Sequence, residues 1–226
     1  WPDWRCVISD DASSEVAYEA LLRIVGDDER FVLSRSDSRL GFYRNFERAL
    51  GMVPPDARWV AFADQDDRWY PDKLGRLTAP LADPATLLAY SDMRIVDAAG
   101  TVLSDTYWIL RGNRWDDITS MLVANTVTGA ASLFERSLLD FALPFPAPVA
   151  GPYHDHWIAL CALALGRIAY VDEPTYERVR HGGSVTAGTR HARALAERAG
   201  EDGGVADQRP AGERMEALYS GSWMQM

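Results

Sequence analysis

Short apolar runs alternate with amphipathic stretches along the first part of the chain. Arg5-Cys6-Val7-Ile8-Ser9 predicts a short buried strand. The polar run Asp10-Asp11-Ala12-Ser13-Ser14 can cap a helix over residues 15–25. Phe31-Val32-Leu33-Ser34 predicts a second strand, and residues 36–41 a polar loop. The next helix carries Phe42, Phe46, Ala49 and Leu50 on one stripe. A strand over 59–63, a helix over 71–81 opened by Pro71, and a strand over 87–91 follow. This alternation predicts an α/β domain, a mostly parallel sheet flanked by helices.

The second half is less regular. Residues 92–102 predict a hairpin turning at Ala98-Ala99-Gly100, and 125–134 a strand with a small-residue segment. A proline-rich loop over 144–152 precedes a helix over 155–165 and a strand over 168–171. Beyond about residue 188 the pattern weakens. Residues 192–199 suit a helix, and 201–212 are polar and glycine-rich, as in linkers or disordered segments.

The chain's 226 residues suffice for one domain with a real core. Its 47% hydrophobic and 25% charged content is globular. A net charge of −10 argues against a nucleic-acid binder, which needs a basic stripe. Cys6 and Cys161 lie in apolar surroundings and read as buried free thiols, which suits a reducing, cytoplasmic setting. No apolar run reaches the roughly 18 residues that a membrane span needs. The opening Trp1-Pro2-Asp3-Trp4-Arg5 does not resemble a signal peptide.

The densest chemistry is Ala63-Asp64-Gln65-Asp66-Asp67-Arg68-Trp69, three carboxylates just past an apolar strand. Like charges this close call for a cation, and oxygen ligands suit a divalent one shared with phosphates. Strand ends of this kind also line the ligand crevice of open α/β sheets. The loop is not an EF-hand, because Trp69 and Gly75 stand where glycine and glutamate would be required. Solvated capping acids are the plainer alternative. Asp10-Asp11 also follows a strand and suits either a helix cap or an acceptor for nucleobase and ribose donors.

His154-Asp155-His156-Trp157 lies where the proline-rich loop meets a helix. Asp155 suits a helix cap or a general base, and Trp157 a core residue or a sugar platform. A zinc site lacks a third ligand nearby. Arg178-Val179-Arg180-His181-Gly182-Gly183-Ser184 puts cations on a glycine-containing loop suited to diphosphate, or to a plain basic turn. GxxxxGK[ST] and GxGxxG are both absent.

In their order, these segments resemble the inverting glycosyltransferases of family 2, with the GT-A fold, and most of all the rhamnosyltransferase-like members. The matching pieces are Ile8-Ser9-Asp10-Asp11-Ala12-Ser13, Leu40 to Glu47, Phe62 to Trp69 with Pro71, Lys73 and Leu74, Tyr90-Ser91-Asp92, Val127-Thr128-Gly129-Ala130, His154 to Trp157, and Arg180-His181 with Ser184. The resemblance implies a transferase domain over residues 1–188 and a tail over 189–226. It also implies that the usual first strand–helix unit is missing ahead of Asp10-Asp11.

Roles follow from the resemblance by position. Asp11 would contact the nucleotide base, and Asp64 and Asp66 would hold Mg²⁺ or Mn²⁺, with Asp64 nearer the ribose. Asp92 would shape the donor pocket. Asp155 would be the catalytic base, and Arg178, Arg180 and His181 would close over the diphosphate. Asp67 would cap a helix or support the pair. The implied donor is a nucleotide-diphospho-sugar such as dTDP-rhamnose or a UDP-sugar. The implied acceptor is a glycan or lipid-linked hydroxyl at the inner face of the membrane, with peripheral membrane association. The competing expectations are a non-catalytic nucleotide- or glycan-binding domain and a sugar nucleotidyltransferase. The latter would need an early basic, glycine-rich triphosphate loop, which the sequence lacks.

Overall fold

The computed structural model describes residues 3–109, 112–148 and 153–180. It opens with a β–α–β unit. Strand β1 (Cys6–Asp10) and strand β2 (Phe31–Arg35) pair in parallel, joined by helix α1 (Glu15–Val25). The Ser14 hydroxyl accepts from the Ala17 N–H and starts α1, as the polar run predicted.

Helix α2 (Phe42–Leu50) fastens this unit to the rest. Its Asn45 amide donates to Ser9 O at 2.7 Å and accepts from Ser9 Oγ at 2.6 Å. Arg48 reaches Ser9 Oγ and Ser34. On the opposite side Phe46 meets the rings of Phe62 and His154. The core side holds Tyr43, Leu50 and the partly buried Phe46; Phe46 and Leu50 are as expected, while Tyr43 takes the place of Phe42, which is exposed.

The main sheet contains β3 (Trp59–Ala61), β4 (Arg68–Trp69), β5 (Thr86–Asp97), β6 (Val102–Ser104), β7 (Ser132–Glu135) and β8 (Arg167–Arg180). Its order is β3-β7-β5-β8-β4, with β6 on β5. The α/β class with flanking helices holds, but the expected parallel bias does not. Among the described residues only β1/β2 and β5/β8 are parallel; β3/β7, β4/β8, β5/β6 and β5/β7 are antiparallel. Of the antiparallel pairs only β5/β6 is joined by a short turn; β7 and β4 pair antiparallel with strands distant in sequence.

Three further expectations change in detail. The strand over 87–91 and the first arm of the hairpin form one strand, β5, which turns at Gly100 with φ +89°. The expected helix over 71–81 is α3 (Lys73–Thr78) followed by a 3₁₀ turn at Pro80–Ala82, because Pro80 cannot continue the α-helical ladder. Only the end of 125–134 is strand; Gly129–Ala131 is a 3₁₀ turn. Side chains of Asn125 and Asp155 take the Val127 and Gly129 N–H groups and draw them away from a ladder.

Strand β8 runs far beyond its predicted end. Its polar middle pairs with β5 on one side and β4 on the other, and Pro174 falls where the β5 register shifts. Helices α4 (Ile118–Val123), α5 (Leu139–Ala142) and α6 (His154–Leu165) cover the sheet. The core joins Leu88 and Tyr90 of β5, Phe134 of β7, Ile158 and Ala162 of α6, and Tyr176 of β8. Both cysteines are free; Cys6 is half-buried and Cys161 buried. No helix among the described residues is long and apolar enough to cross a membrane. The expected tail over 189–226 lies outside the described residues.

Gly166 ends α6 against β5. A Cβ there would lie 2.6 Å from Ala85 O and 2.9 Å from Leu87 Cγ. Gly166→Ala is therefore expected to destabilise the protein by about 1–3 kcal/mol, the cost of overpacking against backbone, read as a lower midpoint in urea denaturation.

Candidate active site

The acidic run leaves β3 as a turn in which Asp67 N donates to Asp64 O at 3.4 Å, and re-enters the sheet as β4. Tyr70 N then donates to Thr175 O of β8 at 2.9 Å. Asp64 and Asp66 are exposed and Asp67 is half-buried. The turn is nonetheless crowded, and desolvation pushes the Asp64 carboxyl up, reinforced by Asp66 and opposed by Arg178 and Lys73. Desolvation and Asp64 raise Asp67 to about 7. Asp67 does not cap α3; that position is Asp72.

Lys73 is the cation beneath this turn and is completely buried. Its Nζ donates to Ala130 O and lies 3.9 Å from the Trp69 ring centre and 4.4 Å from that of Tyr176. Desolvation lowers its pKa to about 7, against the pull of Asp67 and Asp64.

Arg178 comes to the same place from β8. Because strand side chains alternate, it shares a face with Tyr176. Burial opposes its charge, but Tyr107, Tyr176, Asp67 and Asp64 hold the guanidinium pKa above its ordinary value. Arg178 and Arg180 therefore stand on a strand, not on the loop expected for them. The β-ladder extends to Arg180, which pairs in register with Asp97. His181 lies outside the described residues.

Asp155 occupies the first turn of α6 and is 8% exposed. Its Oδ1 accepts from His156 N at 2.7 Å and Asn125 Nδ2 at 3.1 Å, and its Oδ2 from Gly129 N at 3.0 Å. Burial raises its pKa to about 6, while the Gly129 and His156 N–H groups restrain the rise. Asp64 pushes it up and Arg178 pulls it down, so residues from three separate elements share one electrostatic site. A carboxylate with these properties can take a proton near neutral pH.

The flanking histidines are structural. His156 Nε2 meets Met121 O at 2.6 Å, and His154 stacks on Phe46 at 3.6 Å. Burial lowers the pKa of both, to about 3 for His154. Trp157 packs on the core and donates to Ala142 O.

Asp11 and Asp92 do not join the cluster through their hydrogen bonds. Asp11 accepts from Leu40 N at 2.6 Å and Gly41 N at 3.0 Å, holding the loop before α2. Asp92 is buried and accepts from Met93 N, Tyr107 N and Thr106 Oγ1. Sequence reasoning missed the roles of Lys73 and Asn125. A signal was present for the first: Lys73 is the one lysine among 23 basic residues.

Among the described residues no three His, Cys, Asp or Glu side chains gather as a metal-binding group. Asp64 and Asp66 stand on one turn, where the Asp64 and Asp67 carboxyls are pushed up by burial and by neighbouring carboxylates; such a turn suits a cation that takes its other ligands from phosphates and water, as Mg²⁺ does.

Solved structures share this architecture. S. aureus TarS residues 1–349, in complex with UDP-GlcNAc, superposes with a TM-score of 0.58 at 15% identity, covering 96% of this chain and 62% of that one. The mannosyltransferase PcManGT of Pyrobaculum calidifontis, in complex with GDP-Man and Mn²⁺, gives 0.60 at 20% identity, covering 95% and 60%. The fold is thus an α/β GT-A-like one. The model of glycosyl transferase family 2 matches residues 1–141, and the chain belongs to that family. TuaG of Bacillus subtilis (strain 168), whose name assigns it to teichuronic acid biosynthesis as a glycosyltransferase, is 27% identical over 136 residues. That match takes in 58% of this chain and 50% of TuaG, so the chain spans about half of that relative's length.

Lys73→Met keeps the side chain's length between Trp69 and Tyr176 but leaves Ala130 O without its donor. It is expected to cost about 1–3 kcal/mol of stability, measured by urea denaturation at pH 8.

Proposed function

We propose that this protein is an inverting glycosyltransferase that moves a sugar from a nucleotide-diphospho-sugar to a hydroxyl of a glycan or lipid-linked acceptor in cell-surface polysaccharide synthesis. The observation that carries this is the meeting of Asp155, Asp64 and Arg178, from α6, the β3 end and β8, in one electrostatic site. Family membership and the sugar-nucleotide complexes of TarS and PcManGT support the same reading.

In this reading Asp155 accepts the proton of the acceptor hydroxyl as its oxygen attacks C1 of the donor sugar. The new C–O bond forms as the bond from C1 to the diphosphate breaks on the opposite face, and the nucleoside diphosphate leaves with the electron pair. One displacement inverts the anomeric centre, so no second carboxylate nucleophile is needed. Mg²⁺ or Mn²⁺ held by Asp64 and Asp66 would supply positive charge to the diphosphate. Arg178 adds fixed positive charge, with Arg180 and His181 following it along the chain. Asp11 lies on the loop proposed to face the base, and Asp92 braces the Thr106–Tyr107 segment that borders Arg178. A dTDP-rhamnose or UDP-sugar donor, and peripheral association with the inner face of the membrane, complete the proposal. A net charge of −10 agrees with a partner other than nucleic acid.

Turnover of UDP-GlcNAc, GDP-mannose and dTDP-rhamnose with Mn²⁺ tests the reading. Asp155→Asn is expected to lower transfer by about 10²- to 10⁴-fold, while the nucleotide sugar still raises the melting temperature. Transfer by that variant at the wild-type rate would remove Asp155 from the chemistry. EDTA is expected to abolish transfer and Mn²⁺ to restore it; full activity in EDTA would remove the metal role of Asp64 and Asp66.

The base acts only when ionised, and its pKa lies near 6. Activity is therefore expected to fall as the pH drops through about 6, with an acidic limb that Asp155→Asn lacks.

A further inference from the structure

We infer that Asn125 is the positioning residue that orients the Asp155 carboxylate and commits it to accept protons through Oδ2. This rests on the proposal that Asp155 is the base.

Asn125 lies between α4 and β7 and is 4% exposed. Its Oδ1 accepts from Val127 N at 2.9 Å, and its Nδ2 donates to Val127 O at 2.8 Å. This two-point clasp fixes the amide's orientation. A flipped amide would set oxygen against the Val127 carbonyl and NH₂ against the Val127 N–H, so both bonds would be lost. The clasp leaves the second Nδ2 hydrogen aimed at Asp155 Oδ1, 3.1 Å away.

A carboxylate oxygen offers about two lone-pair positions. Oδ1 of Asp155 uses both, for Asn125 Nδ2 and His156 N. Oδ2 accepts one hydrogen bond among the described residues, from Gly129 N. The oxygen left able to take a proton is Oδ2. Gly129 keeps the approach tight, since a Cβ there would lie 3.0 Å from His154 Nε2 and 3.3 Å from Asp155 Cβ.

The titratable and charged neighbours of Asp155 are Asp64 from the β3 end, Arg178 from β8, Tyr153 just before α6, and His154 and His156 beside it on α6. Asn125 is a neutral donor among them. Its hydrogen bond favours the ionised carboxylate, and losing it favours the protonated one.

Asn125→Ala and Asn125→Asp test this in the full chain, beside wild type and Asp155→Asn. The first readout needs no substrate. The Asp155 carboxyl carbon is titrated by ¹³C NMR, its signal assigned by its loss in Asp155→Asn. In Asn125→Ala its titration should move to higher pH, and in Asn125→Asp further still, because a second carboxylate then faces it. The second readout is the pH profile of kcat and the donor KM, with whichever of UDP-GlcNAc, GDP-mannose and dTDP-rhamnose turns over fastest. The acidic limb should move by the same amount, with donor KM unchanged. A one-unit move lowers kcat below the limb by about tenfold.

An unmoved Asp155 titration in folded Asn125→Ala overturns the proposal, as does a rise in KM with an unmoved acidic limb. If Asn125→Asp fails to fold, Asn125→Ala alone decides. Full activity of Asp155→Asn would instead overturn the base assignment, and the NMR titration would still decide whether Asn125 controls the carboxyl.

Discussion

The Lys73 ammonium holds the site together. Burial lowers its pKa to about 7, and a carbonyl, two aromatic faces and nearby carboxylates offset part of the cost of its charge. Each of those partners belongs to a different segment. Ala130 is in the turn that supplies Gly129 N to Asp155, Trp69 lies in β4 below the acidic turn, and Tyr176 is in β8 two residues before Arg178. One side chain on α3 therefore touches the segments that carry the acidic turn, the proposed base and Arg178.

The candidate site residues were easier to single out in the sequence than their supports were. Asp64 and Asp66 could be singled out because three carboxylates stand just past an apolar strand, Arg178 because cations gather before two glycines, and Asp155 because it stands between two histidines where a proline-rich loop meets a helix. The alternation of strands and helices through residue 91 was legible for a similar reason, since each element buries one face and shows the period of that face. What stayed hidden depends on contacts distant in sequence. The polar middle of β8 has no apolar period of its own; it is strand because β5 and β4 flank it. Asn125 looks like any polar residue until Val127 and Asp155 are seen around its amide.

The same distinction separates the predicted site residues. Asp64, Asp155 and Arg178 interact with one another. Asp155 also accepts backbone N–H groups, but Asp11 and Asp92 use theirs to hold the loops at residues 40–41 and 106–107 and do not join that cluster through them. A short acidic motif in a sequence does not say whether its carboxylate will meet a ligand or a main-chain amide. Asp11 follows the end of β1, whereas Asp92 lies inside β5 at an irregularity of its register with β8, where main-chain N–H groups also need acceptors.

That Arg178 rides on a strand rather than a loop has an entropic consequence. A long arginine on a mobile segment must lose rotamer and backbone freedom when an anion arrives, and that loss weakens binding. Within β8, between two paired neighbours, the backbone freedom is already lost when the chain folds. In the proposed reading, a phosphate that reaches the guanidinium meets a charge whose backbone is already ordered.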